Sequence, residues 1–235
     1  MFPRGDGAAM DAVFLNTAGG LTGGDQFRLE TSVASGATLR VTTQAAERAY
    51  RAQACDPSAV MQVNHRVSSG ATLMSLPQET ILFDGAALDR TTRYDLAPDA
   101  RLLACELLVF GRAAMGETVS HIRLSDRIDL WRDGRLVYAD RLRLTGNAVQ
   151  QLASAAVAGG AGAVATVVLA GQDVGDRVPA LRGLLPDGIA CGISSPVPGV
   201  VTGRFAAPDS FALRAFLVPL LQFAAGGVLP RPWML

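Results

Sequence analysis

The most informative absence from this 235-residue chain is lysine, because all 21 of its basic side chains are arginine. A Schiff-base mechanism needs a lysine amine, and a phosphate-binding P-loop needs a lysine beside the phosphates, so the composition excludes both. The 21 acidic residues balance the arginines to a net charge of zero. A neutral chain gives no reason to expect a nucleic acid or an anionic membrane as partner.

Cysteine and long apolar runs are also scarce. The three cysteines, at positions 55, 105 and 191, lie far apart, and an odd number makes a poor disulfide framework. Residues 1–10 lack the apolar stretch of a secretory signal, and no run approaches the ~20 apolar residues that cross a bilayer. The sequence therefore favours a soluble, cytoplasmic protein with reduced thiols.

Histidine is too sparse for the common metal and hydrolase sites. His65 and His121 are the only two histidines, and neither has a second ligand two to four residues away. The sequence has no Cys-x-x-Cys and no Gly-x-Ser-x-Gly motif, so it supports neither a closed zinc site nor a nucleophile elbow. We interpret each histidine as an ordinary core or surface residue.

What the chain has in abundance is short strands separated by turns. Alternation of apolar and polar residues predicts strands at 38–43, 59–67 and 91–96. Turns at 35–37, 69–71 and 98–100 recur roughly thirty residues apart, and each ends in alanine just before a strand. Because repeated strand–turn units can stack, we predict one mainly β domain over residues 1–235, built of stacked, β-helix-like long sheets.

One hairpin is predicted in detail. Asp133-Gly134 suits the type I′ turn that joins two twisted strands, here residues 128–132 and 135–139. If this turn sets the register, two pairs of residues lie opposite each other: Trp131 with Leu136, and Arg127 with Asp140.

The C-terminal third changes character and contains both predicted helices. Residues 163–170, 189–195 and 200–206 are strand candidates, whereas residues 173–184 and 211–225 are helix candidates. The second helix follows the N-cap candidates at 208–210 and ends at two consecutive glycines.

The glycine cluster at residues 19–25, GGLTGGD, has two readings. It lacks the Gly-Lys-Ser/Thr ending of a P-loop and does not match Gly-x-Gly-x-x-Gly, so it is not a phosphate cradle. Closely spaced glycines indicate either a tight turn between strands or a turn that holds Asp25 at a tunnel or an interface.

Two carboxylates fall on apolar strand faces. Glu106 alternates in phase with Leu102, Ala104, Leu108 and Phe110. Similarly, Asp140 shares its predicted face with four apolar or aromatic residues: Leu136, Tyr138, Leu142 and Leu144. A carboxylate among apolar neighbours costs several kcal/mol unless it is paired or hydrated. The alternatives are a structural ion pair, with Arg127 as the partner of Asp140, or carboxylates that line a wet internal passage and bind a divalent cation weakly.

Several motifs, taken together, resemble the urease accessory protein D family. Four stretches stand in the family's order: GGLTGGD at 19–25, TTQAAERAYR at 42–51, LPQETILFDG at 76–85 and FGRAAMGE at 110–117. The strand pair with WRDGR at 131–135 and RL at 141–142 matches as well, and PRPW at 230–233 is similar to the family's terminal Pro-Arg-Ile-Trp. The resemblance covers nearly the whole chain. Family members usually carry further strand-like sequence before the part that matches residues 2–7, so we expect this chain to begin downstream of the usual start.

The resemblance implies a urease maturation factor without catalytic activity. It implies a mostly β body with two helices, bound to accessory proteins F and G (the latter a GTPase) and to apo-urease. It further implies an internal passage for nickel in transit, with no permanently bound cofactor. Asp25, Glu106 and Asp140 match acidic family positions associated with that passage. Glu47 joins them, although relatives commonly carry a small polar residue there.

Two alternatives come from other functional classes. One is a hydrolase that uses a pair of carboxylates on a β scaffold, such as a glycoside hydrolase. A content of only 6% aromatic residues speaks against it, because sugar-binding clefts use aromatic platforms. The other is a β-rich interaction module with buried ion pairs and no metal. Co-purification with urease or with a GTPase would separate both from the maturation factor.

Overall fold

The chain folds into two β-sheets that face each other, with helices on the outer side of the larger sheet. The computed structural model describes the backbone of residues 4–5 and all of residues 9–53, 55–112, 115–227 and 229–234. In chain order the strands are β1 (Arg4–Gly5), β2 (Met10–Phe14), β3 (Gln26–Val33), β4 (Thr38–Thr43), β5 (Glu47–Ala49), β6 (Ala59–Val67), β7 (Thr72–Ser75), β8 (Thr80–Leu82), β9 (Ala87–Leu96), β10 (Arg101–Phe110), β11 (Ile122–Arg132), β12 (Arg135–Gly146), β13 (Ala163–Ala170), β14 (Ala190–Val197) and β15 (Val200–Ala207).

The helical elements are few and mostly short. They are α1 (Ala148–Leu152), α2 (Val178–Arg182) and α3 (Ser210–Ala225), with 3-10 helices at Val174–Arg177 and Arg231–Trp233. The predicted helix at 173–184 is thus a 3-10 turn followed by α2, and α1 was not predicted. In the part of the chain that the structure describes, no helix is long and apolar enough to cross a bilayer.

The first half of the chain winds as a solenoid between the two sheets. In the smaller sheet the order is β12-β11-β9-β6-β3, and the last four of these strands run parallel. In the larger sheet the order is β1-β2-β4-β7-β10-β13-β15-β14, with β8 pairing with both β10 and β5. Strands β2, β4, β7 and β10 are parallel, whereas β13, β15 and β14 continue the sheet antiparallel. The predicted mainly β fold of stacked, β-helix-like sheets is confirmed.

The thirty-residue repeat is the solenoid coil itself. Thr38 lies opposite Thr72, and Thr72 lies opposite Arg101, so the three predicted strand starts are in register. The amide of Thr72 donates to the Ala37 carbonyl at 2.9 Å, and the amide of Arg101 donates to the Ala71 carbonyl at the same distance. Each turn therefore begins its strand at the same level as the coil before it.

The hairpin turn is confirmed, but its predicted register is wrong beyond the first two pairs. Asp133 and Gly134 have φ values of 50° and 70°, and Trp131 lies opposite Leu136. The register then shifts between Leu130 and Trp131, because β12 carries one extra residue at this point.

This bulge places Arg127 opposite Arg141, and Asp140 opposite Ile128. Arg127 and Asp140 therefore point to opposite faces of the sheet, since a slip of one residue reverses every side chain. Leu136, predicted to share a face with Asp140, is 47% exposed.

Helix α3 covers the outer face of the larger sheet. Its N-cap is Asp209, whose Oδ1 accepts a hydrogen bond from the Ala212 amide at 2.8 Å, and its C-cap Gly226 is left-handed with φ 79°. Five residues of the helix are buried: Leu213, Leu217, Leu220, Leu221 and Ala224. The predicted helix and both of its ends are confirmed, and this packing explains the apolar residues on its inner face.

Candidate functional site

Strand β10 divides the interior into two unlike halves. Leu103, Cys105 and Leu107 point to the apolar core beneath α3. The alternate residues Ala104, Glu106 and Leu108 point to the space between the two sheets. This is the alternation that predicted Glu106 on an apolar face.

A three-residue charged cluster lies in the space between the sheets. Arg90 donates to Asp126 through two hydrogen bonds, Nε to Oδ1 at 2.8 Å and Nη2 to Oδ2 at 2.6 Å. The same Nη2 lies 2.7 Å from Glu106 Oε2. Arg90 and Asp126 are directly opposite on neighbouring parallel strands, so the stacking of coils brings them together. One guanidinium between two carboxylates leaves the cluster one negative charge when both acids are ionised.

The cluster is almost completely removed from solvent. Arg90, Glu106 and Asp126 are 4%, 6% and 8% exposed. Burial raises the pKa of the Glu106 carboxyl, and Asp126 raises it further, while Arg90 opposes this. Among the described residues, Glu106 Oε2 has no directed hydrogen-bond donor, so its contact with Arg90 is an ion pair alone.

A cavity of about 340 Å³ extends from this cluster across the earlier coils. Glu106 and Arg90 lie at its inner end, and Leu15 and Gln44, both exposed, lie where it reaches the surface. Its walls carry hydroxyl, amide and imidazole groups: Thr42, Thr43, Ser75, Gln78, Thr80, Thr92 and His65. The volume is large enough for many water molecules or for a hydrated ion.

Glu47 lines the same cavity on β5. Both of its carboxylate oxygens lie 3.1 Å from Asn16 Nδ2, and its Oε1 also accepts from the Arg48 amide at 3.0 Å. Glu47 is half-buried and has no arginine partner among the described ion pairs, so its charge is directed at an amide and at the cavity.

On its other side, Glu106 borders a second, very small void. This void, about 10 Å³, is lined by Glu106, Arg90, Asp126, Thr166, Asp140 and Arg204, together with three apolar side chains. It is at the lower limit for one water molecule and far too small for a sugar ring. Glu106 and Arg90 therefore belong to both the cavity and the void.

Asp140 is paired, but with Arg204 and not with Arg127 as predicted. Its Oδ1 accepts from Arg204 Nη2, and the Arg204 side chain is 47% exposed. Arg127 instead lies 3.7 Å from Asp129 on the outer face. The bulge in β12 causes both differences. The pair thus stands between the buried cluster and solvent.

His65 is a lining residue that the sequence interpretation did not single out. Its Nδ1 contacts Thr31 Oγ1, its Nε2 lies 3.4 Å from Ser75 Oγ, and its ring stacks on Tyr94 with centroids 5.1 Å apart. Burial lowers the pKa of this imidazole from 6.5 to about 4, so it is neutral at physiological pH. The signal was present, because His65 alternates in phase with Val63 and Val67, as Glu106 does with its neighbours.

The structure places Asp25 apart from these residues. Asp25 is exposed, and its Oδ2 accepts from the Thr22 amide at 2.8 Å, which closes the glycine-rich turn. Within that turn, a Cβ on Gly20 would lie 2.6 Å from the Arg48 carbonyl oxygen, so only glycine allows the approach of β5. The tight-turn reading therefore describes the local geometry, and Gly19 of the same turn lines the cavity.

Along the solenoid axis, three of the predicted carboxylates follow in the order Glu47, Glu106 and Asp140. The sequence analysis did not predict that Arg90 and Asp126 belong to the site. In the part of the chain that the structure describes, no group of three His, Cys, Asp or Glu side chains is placed to hold a metal ion.

These features define a class of protein: a two-sheet β-solenoid with a partly hollow interior that contains buried acidic and basic side chains. Comparison with protein families matches residues 1–234 to the family described as UreD urease accessory protein. The chain is 44% identical to urease accessory protein UreD of Ruegeria pomeroyi, covering 99% of this chain and 90% of the relative. It is also 44% identical to the UreD of a Methylobacterium species, over 98% and 83%, and 41% identical to that of Roseobacter denitrificans, over 96% and 82%. The chain belongs to the UreD urease accessory protein family.

Proposed function

We propose that this protein is a urease maturation factor that conducts nickel through its interior toward the urease active site. The observation that carries the proposal is the position of Glu106, which lines both the large cavity and the small void. A cation entering beside Glu47 would cross the cavity to Glu106 and leave beside Asp140. We call this route the internal passage.

The chemistry of the passage favours transit over storage. Carboxylate and hydroxyl oxygens hold a divalent transition metal less tightly than a set of cysteine and histidine ligands does. At Glu106 the guanidinium of Arg90 offsets part of the negative charge. A cation is therefore attracted to this carboxylate but binds it only weakly. Nickel is therefore cargo in this proposal, and the chain holds no resident cofactor.

The narrow point between Glu106 and Asp140 is where the passage is restricted. The void holds at most one water, and Arg204 is bonded to Asp140 at its far side. Arg204 is half-exposed, so a partner that binds there can attract its guanidinium away from Asp140 and free this carboxylate for the cation. Asp25 contributes from outside by closing the turn whose Gly19 forms part of the cavity wall.

We also propose that the protein is a scaffold that joins accessory proteins F and G to apo-urease in the cytoplasm. The outward face of α3 supports this role. Phe211 is 85% exposed and Phe223 is 42% exposed, and the residues between them on the same face, Ala215 and Pro219, are apolar as well. An apolar stripe of this length on a soluble protein favours a protein partner.

The protein acts without turnover in this proposal, hydrolysing neither urea nor GTP. A carboxylate-pair hydrolase needs its two acids about 5–9.5 Å apart across an open cleft. Here the space between Glu106 and Asp140 admits no sugar ring, and each acid is paired with an arginine. A module without metal gives no role to the cavity that extends from Glu47 to Glu106.

The test is nickel loading of urease in cells that express the whole urease operon with a Glu106→Gln/Asp140→Asn variant. Both changes keep side-chain volume and remove charge. We expect the complex with F, G and apo-urease to form in normal yield, and the nickel content of purified urease to fall several-fold. Asp89→Asn is the matched control, because Asp89 lies on β9 beside Arg90 but is exposed on the outer face. Normal nickel content with normal complex yield would refute the passage.

A further inference from the structure

His65 offers an imidazole nitrogen among the polar groups of a cavity whose walls are mostly apolar. It lies on β6, in the same coil as Glu47 and two coils before that of Glu106, and it lines the same cavity as both. It is 1% exposed, so its ring is packed into the cavity wall and has almost no surface open to bulk solvent. The route proposed above for nickel passes this imidazole before it reaches Glu106.

The orientation of the ring is fixed from two sides. Tyr94 stacks against one face with an interplanar angle of 10°, and Thr31 Oγ1 contacts Nδ1. If Nδ1 carries the proton and donates to Thr31, the lone pair of Nε2 is directed toward Ser75. The contact of Nε2 with Ser75 is long, 3.4 Å, and the same Ser75 hydroxyl accepts from Tyr94 at 3.2 Å. Histidine ligands of metals usually have this arrangement, with the second ring nitrogen held by a neighbouring group.

Two further groups indicate that this cavity is built for a polar occupant. Gln78 Nε2 is buried without a hydrogen-bond partner among the described residues, and Glu106 Oε2 has the ion pair with Arg90 but no hydrogen bond; both side chains line the cavity. Gln78 is 8% exposed, and its Oε1 is held by Arg214 at 2.8 Å, which leaves the amide nitrogen for the cavity. A buried polar atom without a partner is costly, so water or hydrated cation is expected there.

We propose that His65 Nε2 is a transient ligand of the metal in transit and makes the passage selective for borderline divalent cations such as Ni²⁺ over Mg²⁺ and Ca²⁺. Imidazole nitrogen binds nickel well, whereas the hard cations prefer oxygen alone. Since Mg²⁺ competes for an all-oxygen route, one nitrogen ligand supplies the discrimination that carboxylates lack. The inference rests on the proposed nickel passage and adds the residue that selects the cargo.

The test uses the small number of histidines in the chain. With only His65 and His121 present, any imidazole bound to nickel in the tag-free full chain comes from one of the two. X-ray absorption of the Ni²⁺-loaded His121→Ala protein should retain the multiple-scattering signature of imidazole, and this surface change leaves the interior intact. An all-oxygen nickel shell in His121→Ala, or failure of this protein to bind Ni²⁺, would overturn the inference.

Two interior variants sharpen the result. His65→Phe keeps a ring against Tyr94 but removes the nitrogen, and the ratio of Mg²⁺ to Ni²⁺ dissociation constants should fall at least tenfold. Thr31→Val keeps the imidazole and removes its orienting partner, so nickel affinity should fall about tenfold. If His65→Phe does not fold, His65→Gln replaces it, and the His121→Ala spectrum decides the question in any case. Unchanged selectivity in the His65 variants overturns the role of His65.

Failure of this inference and failure of the passage are distinguishable. Loss of urease nickel in Glu106→Gln/Asp140→Asn together with an all-oxygen spectrum in His121→Ala leaves the passage standing and removes His65 from it. Normal urease nickel in the double carboxylate variant removes the passage, whatever the spectrum shows.

Discussion

The two faces of strand β10 bound two interiors of opposite character. Toward α3, Leu103, Cys105 and Leu107 join a core of buried apolar side chains that is completed by Trp233. Toward the smaller sheet, Glu106 meets Arg90 and Asp126 beside a cavity of about 340 Å³. One strand thus serves a dry, close-packed core and a charged, hollow space with alternate residues.

The difference between the two faces of β10 indicates which face stabilises the fold and which face is available for function. Burial of apolar area contributes about 25 cal/mol per Å² at no electrostatic cost, so the core under α3 stabilises the sheet by itself. A buried ion cluster often contributes no more than well-packed apolar residues of equal volume would. Folding stability alone therefore does not account for the three charges and the cavity on the other face, which the proposed passage would use.

Among the variants that test this difference between the two faces, Arg90→Ala should have the largest effect on stability. Removal of the guanidinium leaves Glu106 and Asp126 buried together without a cation, which should lower the free energy of unfolding by about 3–5 kcal/mol. Leu107→Ala, on the opposite face of β10, should cost about 2–5 kcal/mol through a cavity alone. Urea denaturation of both variants measures the two costs.

A charge-free triple variant then separates fold from function. Arg90→Met/Glu106→Met/Asp126→Leu removes the buried ions without stranding any of them, so stability should recover to near that of the wild type. Nickel loading of urease should remain low. A triple variant as unstable as Arg90→Ala would mean that the charges themselves hold the two sheets together.

The next largest effect is a pH dependence that arises from His65. In the unfolded chain the imidazole takes up a proton at its ordinary pKa of 6.5, but in the folded protein only near 4. The unfolded state binds more protons in this window, so stability is fully present above pH 6.5 and is lost as the pH falls toward 4. The difference between the two pKa values corresponds to about 3 kcal/mol.

Comparison with His65→Phe isolates this contribution. Both proteins share every carboxylate, so the difference between their unfolding free energies as a function of pH reports on His65. We expect the wild type to lose about 3 kcal/mol more than the variant between pH 7 and pH 4. Parallel curves would mean that the imidazole has the same pKa in the folded and unfolded protein, so that below pH 6.5 it would be charged and would repel a cation.

A smaller effect distinguishes the two tryptophans. Trp233 Nε1 donates to the Leu76 carbonyl at 2.8 Å, and this bond ties the C-terminal segment to the strand connection that carries Gln78. Trp131 Nε1 is buried without an acceptor among the described residues. Trp233→Phe should therefore cost about 2 kcal/mol, because it strands a buried carbonyl, whereas Trp131→Phe should cost less than about 1 kcal/mol. Thermal unfolding midpoints of the two variants test the order.

Local patterns in the sequence predicted much of the fold. The limits of β4, β6 and β13 are as predicted, because each strand has alternating or continuous apolar residues between clear turns. Glu106 was recognised from the same alternation. The caps of α3 were predicted because Asp209 and Gly226 act on atoms within a few residues of themselves.

Features that depend on distant partners could not be predicted in the same way. The extra residue in β12 has no local mark, yet it decides that Asp140 pairs with Arg204 and not with Arg127. The pairing of Arg90 with Asp126 follows from the stacking of two coils and needs the register of β9 on β11. The cavity is a property of both sheets together, so no single strand indicates it.

The last prediction concerns Asp140, where stability and function should separate most clearly. Its partner Arg204 is 47% exposed, and a solvent-exposed ion pair contributes about 0–1 kcal/mol. Asp140→Asn should therefore shift the unfolding midpoint very little, while nickel loading of urease falls because the last carboxylate of the passage has lost its charge. Arg204→Gln is the matched control: it breaks the same ion pair but leaves Asp140 free, so nickel loading should be retained or increased. Equal loss of nickel in both variants would mean that the ion pair shapes a partner-binding surface, and Asp140 would then have no part in conduction.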